Sequence, residues 1–330
     1  MWRRGILLMI SVILLLFLGH QFAPPPAWEV LPPNYAGRTA AWVSIDWSLS
    51  PHTPDEIQAA FAPHMIDDLW IYVSYLKADG HFNPTYEHAA ELNHTLKEFA
   101  PSVRRLAWIG VPISITQVDG TIVPNRLTDP AVREQIAEFC VFAVETLGFD
   151  GVHLNAELIP EGDPAFLQTL QSIRAALPAE AWLSTTAHAL RLTRPITSTP
   201  YPTIAHQWSI TYLQQVAQQV DQIGLMAYDS GLPFAADYRL WAAYQTQTAS
   251  EALADSDVEL FIGLPVSQEW TPSHQTQAES LANALAGFRS GLHESSAPQT
   301  VTGLAIYPHW EMTPPLWEEV YRAAGSAQSE

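Results

Sequence analysis

The chain has 330 residues, and its 34 acidic and 15 basic side chains give a formal net charge of −19. A hydrophobic fraction of 48% supports a large core and excludes disorder over most of the chain. The negative charge argues against nucleic acid as a partner, and the single cysteine, Cys140, excludes an intrachain disulfide or thiolate metal cluster.

The first segment, residues 1–23, has the pattern of a signal peptide or membrane anchor. Arg3 and Arg4 precede an apolar run from Gly5 to Gly19, which is typical of export segments; a helix buried in the folded domain is the alternative. Basic flanks stay in the cytoplasm, so we expect the rest to be exported, membrane-anchored and facing outside, or secreted if the segment is cleaved. This segment is the only membrane contact we expect, and a proline-rich spacer follows at 24–33.

Beyond the spacer, short apolar runs alternate with longer helical patterns. The runs that predict strands are 41–47, 68–75, 104–111, 149–157, 181–188, 222–228, 258–266 and 301–307. Helix starts are marked at Asp129-Pro130 and Asp163-Pro164, where an N-cap residue precedes proline. Eight strands, each with room for a helix behind it, predict an α/β fold, a (β/α)8 TIM barrel over residues 34–325. A doubly wound open sheet is the alternative, although the first strand lacks a glycine-rich turn.

In a barrel of this kind, function belongs at the carboxyl ends of the strands. The candidate residues at these ends are Asp46, Trp47, Tyr75, Asn155, Glu157, His188, Tyr228, Asp229 and Tyr307. Within the fourth strand, alternation places His153, Asn155 and Glu157 on one face. Three polar residues facing a barrel axis must pair with one another or with a ligand.

The same three residues also provide a metal hypothesis, which is weak because asparagine is a poor ligand and no second histidine cluster is evident. No metalloprotease, serine-hydrolase or nucleotide-binding motif occurs in the sequence. We therefore predict neither a metal nor another cofactor.

The fourth-strand stretch GFDGVHLNAE resembles the Asp-Gly-x-Asp-x-Asp-x-Glu signature of glycoside hydrolase family 18, the chitinase-like barrels. The resemblance continues in register. VDQIGLMAYDS is similar to the family's sixth strand, ELFIGLPV to the seventh, and TGLAIYPHW to the eighth, which carries a stacking aromatic residue. It covers most of the chain after the spacer.

This resemblance implies a β-linked glycan containing N-acetylglucosamine as substrate and partner, with Glu157 as the general acid. The substrate's own 2-acetamido oxygen would attack the anomeric carbon, with Asn155 orienting that group and Tyr228 helping to hold it. Among the remaining positions, Met226 and Asp229 match residues that line the sugar site, and Tyr307 or Trp310 would form its floor.

Two positions depart from the family pattern, since His153 and Asn155 stand where it has aspartates. An asparagine cannot stabilise a positive oxazolinium ion by charge. Without the charge-assisted hydrogen bond that an aspartate would make, we expect the rate of hydrolysis to fall about 100-fold. Two alternatives therefore stay open. One is a non-catalytic glycan-binding protein, and the other is a barrel glycosidase in which Glu157 works with another carboxylate, such as Asp46 or Asp229.

The tryptophans divide by position along the strands. Trp42, Trp70 and Trp108 lie within strands and are expected in the core. Trp47, Trp270 and Trp310 lie near strand ends, where stacking on sugar rings is expected. Asp119-Gly120 predicts a small hairpin in the loop after the third strand.

Overall fold

The computed structural model describes residues 37–62, 64, 66–116, 120–195 and 207–324. The predicted export segment at 1–23 and the spacer at 24–33 lie outside these residues. None of the helices within the described part is long and apolar enough to cross a membrane.

Eight parallel strands close into a barrel, which confirms the predicted TIM-barrel fold. The ten strands of the described residues are β1 (Arg38–Val43), β2 (Asp68–Tyr75), β3 (Arg104–Pro112), β4 (Ile115–Thr116), β5 (Ile122–Val123), β6 (Gly151–Glu157), β7 (Trp182–Ala187), β8 (Gln222–Met226), β9 (Glu259–Pro265) and β10 (Val301–Tyr307). Around the barrel the order is β1-β10-β9-β8-β7-β6-β3-β2, so successive barrel strands are neighbours. The short strands β4 and β5 pair antiparallel with each other, as the predicted hairpin requires.

Helices occupy the connections between the barrel strands. Those of the described residues are α1 (Asp46–Leu49), α2 (Pro54–Phe61), α3 (Ala89–Phe99), α4 (Pro130–Glu145), α5 (Pro164–Ala176), α6 (Ile210–Ala217), α7 (Ala235–Ala252), α8 (Leu281–Glu294) and α9 (Pro314–Ala324). The two Asp-Pro starts behave as the sequence predicts. The side chains of Asp129 and Asp163 accept hydrogen bonds from the backbone N–H groups of Ala131 and Ala165.

The first strand differs from its predicted span of 41–47. It pairs with β10 and β2 from Arg38 to Val43 and then leaves the barrel. The backbone N–H of Leu49 bonds to the carbonyl of Ile45 at 3.0 Å, and the chain turns into α1. Asp46 and Trp47 therefore lie on a helical turn above the barrel rather than on the strand.

Strand alternation produces two separate apolar layers. Side chains such as Val152 and Leu154 face outward and join the large core between the strands and the helices. The barrel interior is filled mainly by aromatic rings, with Trp42, Trp70 and Phe261 at its centre. Trp42 and Trp70 are 1% and 0% exposed, so the sequence-based expectation of core positions is correct for both.

A polar column runs through this aromatic interior. Trp42 Nε1 donates to His153 Nε2 at 3.0 Å, and the other ring nitrogen of His153 lies 2.7 Å from Ser184 Oγ. Ser184 Oγ and Trp70 Nε1 both donate to Gln222 Oε1, each at 2.9 Å. The column therefore satisfies buried polar groups that would otherwise destabilise the barrel interior.

The column ends in a cluster of charges at the amino-terminal mouth of the barrel. Gln222 Nε2 donates to Asp68 Oδ1 at 3.1 Å and to Glu259 Oε2 at 3.0 Å. Arg38 and Arg104 each form salt bridges with both carboxylates. This mouth is closed by ion pairs, which leaves the opposite mouth for a ligand.

We predict that Gln222→Leu lowers the free energy of unfolding by about 3 kcal/mol, because it removes both the acceptor and the donor at the centre of the column. Urea denaturation measures the change. The control Gln214→Leu removes a single exposed hydrogen bond, to Ala252 O, and should cost less than about 1 kcal/mol. Equal losses for the two variants would contradict a structural role for the column.

Candidate active site

A cleft of about 450 Å³ opens at the carboxyl ends of the strands. Its lining is rich in aromatic and polar side chains: Trp42, Ser44, Ile45, Tyr72, Trp108, Asn155, Glu157, Thr186, Met226, Tyr228, Asp229, Tyr307 and Trp310. Lysine and arginine are not among these described lining residues. The cleft is thus aromatic and acidic, and it lies where barrel enzymes place their chemistry.

Glu157 is the last residue of β6, and its carboxylate reaches the cleft. It stays accessible through the cleft mouth, but protein surrounds it on the other sides. This burial raises the pKa of Glu157 above its usual value. A hydrogen bond from Asn155 lowers that pKa and the negative charge of Asp229 raises it, with a net upward shift. A carboxyl group held in this way favours its protonated form and can donate a proton.

Asn155 is fixed between two partners. Its Oδ1 accepts a hydrogen bond of 2.7 Å from Thr186 Oγ1, a buried hydroxyl on β7. With the carbonyl oxygen facing Thr186, the amide N–H groups are the donors available to the Glu157 carboxylate. Asn155 therefore stabilises the charged form of Glu157, against the effect of burial.

Aromatic rings form the sides of the cleft in two groups. Tyr228 and Tyr307 stack with ring centroids 5.1 Å apart, and Trp310 meets Tyr307 edge-on at 5.9 Å. On the other strands, Tyr72 stacks on Trp108 at 4.4 Å. Burial raises the pKa of Tyr72 and that of Tyr307 to about 12, so both hydroxyls are neutral hydrogen-bonding groups.

His153 lies beneath the cleft and does not line it, which corrects its predicted place among the substrate-binding residues. The ring is fully buried and stacks on Trp70 at a centroid distance of 4.1 Å. Because Ser184 Oγ donates to Gln222 and Trp42 donates to Nε2, the ring carries its proton on Nδ1. Burial holds the pKa of His153 well below its usual value. His153 is a neutral support residue with no lone pair left for a metal.

Four other predicted binding residues lie outside the cleft lining. Because β1 ends at Val43, Asp46 and Trp47 lie on α1. The Asp46 carboxylate accepts a hydrogen bond from Ser44 Oγ, and the Trp47 ring packs on His52 and on the outer core. Tyr75 ends β2 half-buried. His188 follows β7, and its Nε2 accepts a 3.1 Å hydrogen bond from the backbone N–H of Ile159 in the loop after β6. Its role in substrate binding stays a prediction.

Sequence reasoning missed several cleft residues. Tyr72 and Trp108 belong to the inward face of their strands. Trp108 is buried in the barrel interior, as expected, and its ring also lines the cleft. It is 7% exposed, and its indole N–H has no hydrogen-bond partner within the described residues. Strand alternation could have predicted both residues, because it places their side chains toward the barrel axis in the direction of the carboxyl ends of their strands. Thr186 carries the same signal, since it lies two residues after the inward-facing Ser184 near the end of β7. The Ser44-Ile45 turn carries none, because loop geometry places it.

One wall of the cleft is reinforced from behind. Asp229 adopts a left-handed backbone conformation with φ of 55°, which aspartate tolerates better than most residues. Its carboxylate lies 3.6 Å from His274 Nδ1, and Glu279 Oε2 lies 3.3 Å from the same nitrogen. The nearby Glu279 carboxylate outweighs burial and raises the pKa of His274, while burial raises the pKa of Asp229. His274 and Glu279 belong to the loop between β9 and α8 and were not predicted.

The sequence matches no protein-family model and no curated protein, whereas solved structures match over most of the chain. The spore cortex-lytic enzyme SleL of Bacillus megaterium has a TM-score of 0.58 at 13% identity, over 88% of this chain and 75% of that chain. A class V chitinase of Pseudomonas fluorescens has a TM-score of 0.57 at 14% identity, over 88% and 98%. A family 18 chitinase of Cycas revoluta in complex with (GlcNAc)3 has a TM-score of 0.56 at 14% identity, over 88% and 99%.

At these identities the likeness concerns the fold. The chain has a barrel fold similar to that of the family 18 chitinases and of SleL.

The buried, neutral His153 predicts a specific dependence of stability on pH. Its pKa lies well below 6.5 in the folded state, so its contribution is complete above about pH 6.5 and falls as the unfolded chain becomes protonated. Between pH 6.5 and 5 we expect the wild type to lose about 2 kcal/mol more than His153→Gln. Denaturant titrations measure this. The exposed control His94→Gln should follow the wild type, and a His153→Gln curve parallel to both would contradict the assignment.

The hydrogen bond from Asn155 predicts the direction of a second change. Asn155→Leu removes the donor that favours ionised Glu157, so the pKa of Glu157 should rise further. Carbon-13 NMR titration of the Glu157 carboxyl measures the shift. The control Asn283→Ala, on α8 away from the cleft, should leave it unchanged. A pKa that falls in Asn155→Leu would show that the amide does not donate to Glu157.

Proposed function

We propose that this chain is a glycoside hydrolase of the family 18 type, cleaving β-linked glycans that contain N-acetylglucosamine, such as chitin, peptidoglycan or a glycoprotein glycan. The observation that carries the proposal is Glu157, a carboxyl group of raised pKa at the end of β6. It faces a cleft lined by Tyr72, Trp108, Tyr307 and Trp310. Aromatic faces suit the apolar faces of sugar rings, and the fold neighbours include a chitinase in complex with (GlcNAc)3.

The reaction that fits this cleft is substrate-assisted retention. Glu157 donates its proton to the glycosidic oxygen while the bond from that oxygen to the anomeric carbon breaks. The 2-acetamido oxygen of the same sugar forms a bond to that carbon, giving an oxazolinium ion. Water then attacks the anomeric carbon as its bond to the acetamido oxygen breaks, which regenerates the neutral acetamide, and the water gives a proton to Glu157, which restores the acid. Tyr228 would hold the acetamido group, and Met226 and Asp229 would line its pocket.

Asn155 supports a second candidate, a glycan-binding protein without turnover. Its neutral amide cannot stabilise the oxazolinium charge, and its carbonyl oxygen already accepts from Thr186. One lone pair of that oxygen is left to accept the acetamido N–H, so orientation of the substrate is retained while charge stabilisation is lost. The two candidates share the cleft and differ only in whether the bond is cleaved.

The natural place for such an activity is outside the cytoplasm. Residues 1–23 support export by their basic start and apolar run, with the barrel held at the outer face of the membrane or released by cleavage. Membrane contact is confined to this segment in the proposal.

We predict that Glu157→Gln lowers kcat/KM on chitin oligosaccharides or peptidoglycan at least about 100-fold, because an amide cannot supply the proton. Released reducing ends measure the rate. Glu134→Gln, an exposed residue of α4, is the matched control and should be unchanged. Binding of the oligosaccharide without release by the wild type would instead establish the glycan-binding candidate.

Asn155→Asp tests the departure from the family pattern. Restoring a carboxylate beside Glu157 should raise kcat about 10-fold to 100-fold, because an ionised acceptor stabilises the developing positive charge. Steady-state kinetics on the same oligosaccharide measures the gain. An active wild type whose kcat is unchanged in Asn155→Asp would contradict substrate assistance and favour a mechanism with another carboxylate.

A further inference from the structure

Three potential metal ligands converge behind the cleft wall. Asp229 follows β8, whereas His274 and Glu279 come from the loop between β9 and α8. One ligand atom from each residue lies within 4.8 Å of the other two. The His274 and Glu279 side chains are 5% and 0% exposed, while that of Asp229 is 51% exposed. The cluster is therefore buried on one side and open on the other.

A backbone contact fixes the orientation of the His274 ring. Its Nε2 lies 3.1 Å from the carbonyl oxygen of Ser267, and a carbonyl only accepts, so Nε2 carries the proton. In the neutral ring, the lone pair of Nδ1 then points at the two carboxylates. A histidine whose far nitrogen donates to a backbone carbonyl is the usual arrangement around bound metals.

Glu279 is oriented in the same way. Its Oε1 accepts hydrogen bonds from the backbone N–H and the hydroxyl of Ser230 and from the N–H of Gly231, at 2.6 to 3.1 Å. Its Oε2 is fully buried, has no hydrogen-bond donor and faces His274. A buried carboxylate oxygen without a donor is costly, and a cation at this point would remove the cost.

The distances decide between a proton and a metal ion as that cation. A charge-assisted N–H···O⁻ bond is about 2.7–2.9 Å long, whereas His274 Nδ1 lies 3.3 Å from Glu279 Oε2 and 3.6 Å from Asp229 Oδ1. Ligands at about 2.0–2.2 Å from a tetrahedral zinc ion lie roughly 3.3–3.6 Å from one another. The two distances from His274 therefore match a coordination shell, and the two carboxylates lie within 4.8 Å of each other.

We propose that Asp229, His274 and Glu279 bind one divalent transition-metal ion of the zinc or manganese class. One imidazole nitrogen with two carboxylate oxygens suits these ions better than calcium, which prefers six or more oxygens. Since Asp229 lines the cleft, the fourth coordination position faces the ligand cleft. The bound ion would link Asp229 to the loop between β9 and α8 and so stabilise this wall of the cleft. This role does not depend on whether the chain hydrolyses glycans.

The test is isothermal titration of the chelator-treated full chain with ZnCl2 and, separately, MnCl2 at mildly alkaline pH. We expect one ion per chain and a concentration-dependent rise in the thermal midpoint. Glu279→Gln keeps the acceptor for Ser230 but loses the ligand oxygen, and His274→Ala loses the nitrogen. Each should weaken binding at least about 10-fold. The control His94→Ala removes a histidine of an exposed histidine–carboxylate pair and should bind as the wild type does.

Three results would overturn the proposal. The first is the absence of saturable binding by the wild type, and the second is equal binding by Glu279→Gln. The third is a nitrogen-15 spectrum in which His274 Nδ1 stays protonated under excess zinc, which would make the cluster an ion pair. Near-UV circular dichroism establishes that Glu279→Gln is folded, so this variant decides the matter if His274→Ala unfolds. Glycan release is measured separately, and its failure would leave the metal titration unaffected.

Discussion

The hydrogen-bonded column inside the barrel is the constraint on which the site depends. His153, Ser184 and Gln222 give each buried polar atom a partner, and Trp42 and Trp70 pack around them. The column begins in the ion pairs at one mouth and ends under the cleft at the other. The polar groups of the column form their hydrogen bonds within the column or with the charged mouth below it. The side chains above the column therefore need not supply these hydrogen bonds and can contact a ligand instead.

In the cleft above this column, two opposing effects act on the pKa of the Glu157 carboxyl group. Burial favours protonated Glu157, and the hydrogen bond from Asn155 favours the ionised form. A group balanced between the two forms is suited to giving and recovering a proton. For the proposed glycan, the aromatic walls would provide a stacking surface. The described lining residues include no lysine or arginine, which is consistent with a neutral or cationic ligand.

The sequence predicted the barrel and most strand positions because alternating apolar runs report directly on burial. It placed Glu157 and Asn155 at the end of the fourth barrel strand for the same reason. It could not place Asp46 and Trp47, since the departure of the chain from β1 depends on pairing with β2 and β10. Asn155 contacts Thr186, and Asp229 contacts His274. The two residues of each pair are distant in the chain and meet only in the closed barrel, so no local sequence pattern predicts these contacts.

We propose that this cleft binds a glycan with its scissile oxygen at Glu157. A crystal structure of Glu157→Gln with an N-acetylglucosamine oligosaccharide would test this placement, because that variant should bind without cleaving. We expect a sugar ring against Tyr307 or Trp310, with a glycosidic oxygen within about 3.2 Å of the residue 157 side chain. Oligosaccharide bound only away from this cleft, at saturating concentration, would contradict it.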